Sequence, residues 1–272
     1  MTQTILITGT SSGLGRASAK HFQAQGWNVV ATMRDPRRET ELGSLERVLV
    51  TELDVQDPDS IQAAVAAGID TFGQIDVLLN NAGYAAYGPL EATSMDTIRR
   101  QFDINVFGPM ATMQAVLPHF RARRSGTIVN ISSIGGRLTF PLGALYHGSK
   151  FALEGLSDAM WYELDAIGVR MKIVEPGGMK TGFGRAVDFS NDETMPEYQP
   201  LVQTVSAVLG PMMEQGSTPD QIAAIVYAAT IDPSDRLRYD AGEDAAQLLA
   251  LRRAVDDSTY FASIKSRFGL QA

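Results

Sequence analysis

Two residues near the middle of the chain could move a proton at a carbon–oxygen bond. Tyr146 and Lys150 lie four apart in a stretch of helical period, an interval that puts both side chains on one helix face. A free phenol titrates near ~10, too high for a useful base at neutral pH. An ammonium beside it favours the phenolate by ~1–3 units, so the pair could act as acid in one direction and base in the other. With 8 tyrosines and 5 lysines among 272 residues, roughly 0.15 such pairs arise by chance. Alone, the interval is weak. His147 is adjacent, but one helical step points about 100° away, and it reads as packing.

A second constellation lies near the start. Thr8-Gly9-Thr10-Ser11-Ser12-Gly13-Leu14-Gly15 joins a β-branched run, residues 4–8, to an amphipathic stretch, 14–25. Glycines permit a tight turn and let backbone N–H groups approach a pyrophosphate, while the helix N-terminus supplies positive potential. The spacing is G-x-x-x-G-x-G, not the commoner G-x-G-x-x-G.

These groups must be held by something, and the hydrophobic pattern says what. Short apolar runs at 28–33, 48–53, 75–80, 127–131 and 169–175 alternate with helix-length segments at 58–72, 95–123 and 146–166. Continuous apolar strands separated by helices argue a parallel sheet covered on both faces. The expected fold is α/β, a doubly wound parallel sheet of Rossmann type, with its ligand crevice outside the carboxyl ends of the strands. No linker or repeat divides the chain, so residues 1–272 read as a single domain. The alternation weakens over 182–216, expected to cover the substrate site. A helix at 219–230, a short run at 237–239 and a charged helical tail follow.

Composition narrows the classes. Formal net charge is −8, which argues against a nucleic-acid partner needing a basic face. There are no cysteines, which removes disulfides, thiolate catalysis and Cys-ligated metal. His21 and His119 have no partners at metal-ligand spacing, so no metal is expected. No apolar run nears the roughly 18 residues that cross a bilayer. The start has no leader pattern, and a cytoplasmic protein is expected.

Thr8-Gly9-x-x-x-Gly13-x-Gly15, Asn80-Asn81-Ala82-Gly83 and Tyr146-x-x-x-Lys150 together resemble the short-chain dehydrogenase/reductase family, in the branch with chains of about this length. The resemblance implies an NAD(P)-dependent oxidoreductase interconverting a carbonyl and an alcohol by hydride transfer. It implies a catalytic tetrad of Asn105, Ser133, Tyr146 and Lys150, at intervals of 28, 13 and 4. Ser133 would orient the substrate oxygen, Tyr146 would exchange the proton, and Lys150 would reach the nicotinamide ribose. Asn105 would interrupt its helix and fix a water relaying protons towards Lys150. Cofactor contacts are implied at Gly9, Thr10, Ser11, Ser12, Gly13, Leu14 and Gly15, at Asp54 and Val55 for the adenine, and at Asn81, Ala82 and Gly83. Tyr146, Lys150, Pro176, Gly177 and Thr181 would meet the nicotinamide end. Members of this family are commonly homodimers or homotetramers; here Trp161 and Tyr162 read as packing or part of a helix-pair contact.

The second strand bears on the cofactor. An acidic residue at its end favours NAD, and an Arg nearby accommodates the 2′-phosphate of NADP. Here the strand ends Met33-Arg34-Asp35, so NADP(H) is favoured and NAD(H) remains possible. Ser133, Tyr146, Tyr84, Phe140, Leu142 and Phe183 are the candidate substrate contacts. Their apolar character, and a likeness to hydroxysteroid and retinol dehydrogenases, suggest a hydrophobic ketone, aldehyde or alcohol. Two other classes stay open on sequence alone: a dinucleotide-sensing regulatory protein without turnover, and a lyase or isomerase using the same Tyr–Lys pair.

Overall fold

The computed structural model describes residues 2–180 and 187–270. In chain order the elements are β1 (Thr4–Ile7), α1 (Gly13–Ala24), β2 (Asn28–Met33), β3 (Val48–Glu52), α2 (Pro58–Phe72), β4 (Val77–Asn80) and β5 (Ala86–Tyr87). Next come α3 (Met95–Phe102), α4 (Gly108–Arg123), β6 (Gly126–Ile131), α5 (Ala144–Ala166), β7 (Val169–Pro176) and β8 (Asp188–Phe189). The chain ends with α6 (Gln199–Glu214), α7 (Pro219–Ile231), β9 (Arg238–Ala241), α8 (Glu243–Ala254) and α9 (Asp257–Arg267).

Seven strands form one sheet in the order β3-β2-β1-β4-β6-β7-β9, and every pairing is parallel, with Ile5 opposite both Val29 and Val77. Strand β1 is buried along its whole length, as a central strand covered on both faces must be. On one face Phe22, Trp27, Ile222 and Val226 bring α1 and α7 against the sheet. On the other, Ile61, Val116, Phe120 and Leu164 do the same for α2, α4 and α5. The winding reverses between β1 and β4. That opens a crevice at their carboxyl ends, where the glycine turn, the Asn-Asn-Ala-Gly element and Ser133 all emerge.

Three features depart from the sequence pattern. The stretch 95–123, whose hydrophobic pattern reads as one helix, is broken by a single π turn at Asp103–Phe107 between α3 and α4, an interruption that the family resemblance implies at Asn105. Such turns insert a residue and re-aim side chains, and this one carries Asn105. A parallel ladder of two residues per strand joins β5 to β8, with Ala86 opposite Asp188 and Tyr87 opposite Phe189. The C-terminal helices do not trail into solvent. They fold back onto the loop after Ser133, where Leu248, Tyr260 and Phe268 pack with Ile134 and Leu138, and the Tyr260 hydroxyl donates to Thr139 O at 3.0 Å. No helix among the described residues is long and apolar enough to cross a membrane.

Candidate active site

The glycine turn is a cradle built by exclusion. A Cβ on Gly15 would stand 2.1 Å from Gly9 O and 2.5 Å from Asn81 Nδ2. Gly9 adopts φ +73°, with Ala82 Cα only 3.0 Å from where its own Cβ would be, so glycine is required for both backbone angle and space. Asn81 ties the two loops together, its Nδ2 donating to Thr8 O at 2.9 Å and Gly9 O at 3.0 Å. Thr8 Oγ1 accepts from the backbone N–H groups of Asn81 and Ala82, both at 3.0 Å. The walls left open fit a dinucleotide: Gly9, Ser11, Gly13 and Gly15 at one end, Asp54 and Val55 beside them, and Lys150, Pro176 and Gly177 at the other. Thr10 is apart from these. Its side chain is buried and donates to Thr32 O at 3.0 Å, bracing the turn from behind.

Arg34 is exposed and lines the crevice. Among the described residues it makes no ion pair. Its neighbours differ: Asp35 accepts from Arg37 Nε at 2.8 Å and lies 3.2 Å from Arg38 Nε. Asp35 is therefore occupied by its own loop.

Ser133 follows β6 in extended conformation. Its Oγ accepts from Gly135 N at 3.0 Å, donates towards Pro176 O at 3.5 Å, and is hydrogen-bonded with the Tyr146 phenol. Lys150, one helical turn beyond Tyr146, places Nζ 5.9 Å from the phenol ring centroid and donates to Ile131 O at 2.9 Å. Burial pushes Lys150 down to about 8, with the Glu154 carboxylate pulling it up. The Tyr146 phenol is pushed above its ordinary value by burial, against the pull of the Ser133 hydrogen bond. In the protein by itself, then, desolvation outweighs the acidification that a lysine neighbour alone would bring.

Asn105 is buried and does not line the crevice. Its Oδ1 accepts from Tyr84 N at 2.8 Å, and its Nδ2 donates to Tyr84 O at 2.8 Å and Ser149 Oγ at 3.1 Å. Ser149 in turn donates to Tyr146 O at 2.8 Å. The side chain expected to fix a water is thus engaged in holding the backbone after Gly83 against the helix of Tyr146. Gln101 shares the task unannounced by sequence: it is buried, accepts from Ala86 N at 2.7 Å and donates to Ser149 Oγ at 3.0 Å. A glutamine on an amphipathic helix ordinarily reads as surface. Asp244 was equally hidden in the charged tail. Its Oδ2 accepts from Gly178 N at 2.7 Å, clamping the Pro176-Gly177 turn.

A second cavity, of about 910 Å³, opens on the other side of Tyr146, with Tyr87, Phe140, Phe189, Leu209 and Met212 among its walls. Ser133, Tyr146, Gly177, Met179 and Met213 line both spaces. Of the candidate substrate contacts, Phe140 faces this cavity. Tyr84 does not: its hydroxyl is hydrogen-bonded to Asp188, its ring lies 4.6 Å from Arg100 Cζ, and it lines the dinucleotide crevice. Leu142, at φ +62°, packs into the apolar cluster under the C-terminal helices. Thr181 and Phe183 lie outside the described residues.

His147 is the structural anchor of this wall. Phe140 N donates to its Nε2 at 3.0 Å, so Nε2 carries no proton, and Nδ1–H must donate to Gly135 O at 3.0 Å. Burial pushes the ring down to about 4 from an ordinary 6.5. The unfolded chain therefore binds this proton first, and stability falls as pH drops from 6.5 to 4, by about 3 kcal/mol on linkage grounds. His147→Gln should flatten that part of the curve of unfolding free energy against pH. An unchanged slope would mean that the ring is not held neutral.

The model of the short chain dehydrogenase family matches residues 3–191. An uncharacterized oxidoreductase of Schizosaccharomyces pombe is 44% identical over 238 residues, 88% of this chain and 100% of that one. Human 17-beta-hydroxysteroid dehydrogenase type 1 is 33% identical over 264 residues, covering 91% of this chain and 80% of its own. Among solved structures, a short-chain dehydrogenase from Streptomyces avermitilis superposes with TM-score 0.83 at 33% identity, over 97% of this chain and 95% of that one. ElxO with NADP bound gives TM-score 0.72 at 27% identity, over 88% and 95%.

Proposed function

Because this chain belongs to the short-chain dehydrogenase family, a family of oxidoreductases with dinucleotide-bound members, we propose that it interconverts a carbonyl and an alcohol on a hydrophobic substrate. One observation carries the reading. The Ser133 hydroxyl and the Tyr146 phenol stand on the wall shared by a dinucleotide-sized crevice and a largely apolar cavity.

A bound nicotinamide dinucleotide supplies or takes the hydride. The chain's own residues do the rest. Ser133 donates a hydrogen bond to the substrate oxygen and orients it. Tyr146, kept protonated by burial, gives its proton to that oxygen in reduction and takes one back in oxidation. Lys150 holds its ammonium beside the phenol, so charge developing on either oxygen is met locally. Asn105 and Gln101 position the helix through Ser149. The reading has residues 182–216 cover the cavity, since Phe189, Leu209 and Met212 line it. It also has the chain work as one dinucleotide-binding domain, in a homodimer or homotetramer, in the cytoplasm.

The test is NADPH and NADH consumption with a panel of steroids, aromatic ketones and small polar ketones. Turnover of the hydrophobic members with NADPH is expected. Turnover of small polar ketones beside inertness towards the rest would reject the substrate class, and inertness throughout would reject the reaction.

The preference for NADP rests on Arg34, whose guanidinium is unpaired by any described carboxylate and lines the crevice. Losing one charge-assisted hydrogen bond costs about 1.5–3 kcal/mol, so Arg34→Ala should raise the KM for NADPH about tenfold or more and leave that for NADH nearly unchanged. Equal effects on the two dinucleotides would remove Arg34 from the phosphate site.

A further inference from the structure

The face of α5 that carries Tyr146 and Lys150 continues one turn further to Glu154, the next residue at an interval of four. Glu154 is buried, and so is Glu175, the last residue but one of β7. One guanidinium spans them: Arg238 Nε is 3.0 Å from Glu154 Oε2 and 3.4 Å from Glu175 Oε1. Arg137 adds a contact to Glu175 Oε1 at 3.1 Å. The other two oxygens, Glu154 Oε1 and Glu175 Oε2, are buried with no hydrogen-bond partner, and so is Ser132 Oγ. Ser132 and Glu154 meet over Gly136, where a Cβ would lie 2.7 Å from Ser132 Oγ and 2.8 Å from Glu154 Cγ.

The two carboxyls share their cations with other acids. Arg238 also holds Asp158 at 2.6 Å, and Asp240, itself paired with Arg253, adds its field at Glu175. An ionised carboxylate is acceptor-only, so two ionised groups leave buried acceptors unmet, which is costly. One proton turns an acceptor into a donor and removes a like-charge repulsion. Burial, followed by the charge of Glu154, raises Glu175 above the usual carboxylate range. On the other side Glu154 acts on Lys150, favouring its ammonium.

We propose that Glu154 and Glu175 are positioning residues, that the proton this buried cluster needs sits on Glu175, and that the Glu154 carboxylate supports the ammonium of Lys150. The proposal rests on the reading of Tyr146 and Lys150 as the reacting pair. It gives the two carboxyls opposite consequences. Glu154→Gln removes the charge that supports the ammonium, and should move the alkaline limb of carbonyl reduction to lower pH by about one unit. Glu175→Gln leaves the Glu154 carboxylate in place, so its limb should not move to lower pH.

The experiment has two arms. The first follows kcat/KM against pH for an aromatic ketone and NADPH in wild type and both variants; limbs that shift together, or an unmoved limb in Glu154→Gln, overturn the proposal. A merely structural pair would lower both rates without separating the limbs. The second arm needs no turnover. The infrared stretching band of a protonated carboxyl should be present in wild type at neutral pH and lost in Glu175→Gln, and its absence from wild type also overturns the proposal. If Tyr146→Phe keeps its activity while the band persists, it is the reaction that has been misread, not the carboxyl pair.

Discussion

Tyr146→Phe is expected to lower kcat for carbonyl reduction about 10³-fold while NADPH still binds within a few-fold of wild type. The substitution removes one oxygen and little else. The ring keeps its place, with Tyr87 at 5.7 Å and His147 at 5.7 Å between centroids. Lys150 keeps Ile131 O as acceptor at 2.9 Å, and Ser133 keeps Gly135 N as donor at 3.0 Å. What disappears is the proton that must reach the substrate oxygen as hydride arrives. Removing a group that acts only in the transition state should leave ground-state binding in place, so the loss should fall on kcat. Stopped-flow reduction with NADPH, beside dinucleotide titration by fluorescence, separates the two quantities. Retention of a tenth or more of wild-type kcat would mean that the phenol is not the proton donor. The alkaline behaviour has a stated sign as well. With Lys150 held down to about 8 by burial, its ammonium is lost as pH rises through that value, and wild-type reduction should decline there.

The sequence told most about the parts whose chemistry is local. Residues 5–7 and 29–31 are apolar throughout because a central parallel strand has no solvent face, and no tertiary knowledge is needed to read that. The glycines at 9 and 15 announce themselves because only glycine fits where two backbones meet within van der Waals distance. Tyr146 and Lys150 are four apart in any helix. What escaped was set by neighbours distant in sequence. Gln101 looks like a surface polar residue until α3 turns it inward onto residues 84–86, whereas Asn105 is legible through the family motif and only its bonds to Tyr84 and Ser149 are not. Asp244 clamps Gly178 from 66 residues away. Glu154 and Glu175 sit in runs that read as an ordinary helix and strand. Tyr84 has the chemistry of a substrate contact, yet Asp188 and Arg100 claim it, and neither is near it in the chain. The β5–β8 ladder is too short for any periodicity to show.

Gly15→Ala should cost about 3 kcal/mol or more and abolish tight dinucleotide binding. A new Cβ there meets Gly9 O at 2.1 Å and Asn81 Nδ2 at 2.5 Å, and neither can yield. Gly9 is backed by Ala82 Cα, 3.0 Å from the Gly9 Cβ position. Asn81 is fixed by bonds of 2.9 and 3.0 Å to the carbonyls of Thr8 and Gly9, so moving it breaks the link between the turn and the Asn-Asn-Ala-Gly loop. The backbone N–H groups that would receive the pyrophosphate belong to that turn, and stability and affinity should therefore fall together. Gly155→Ala serves as the control. Gly155 lies on the exposed side of α5 with nothing within 4 Å of its Cβ position, where alanine stabilises a helix by about 0.8–1 kcal/mol. Denaturant melts of both variants, with NADPH titrations beside them, decide the matter. A Gly15→Ala protein as stable as wild type with unchanged NADPH affinity would mean that the turn is looser than its contacts imply and is not the floor of the dinucleotide site.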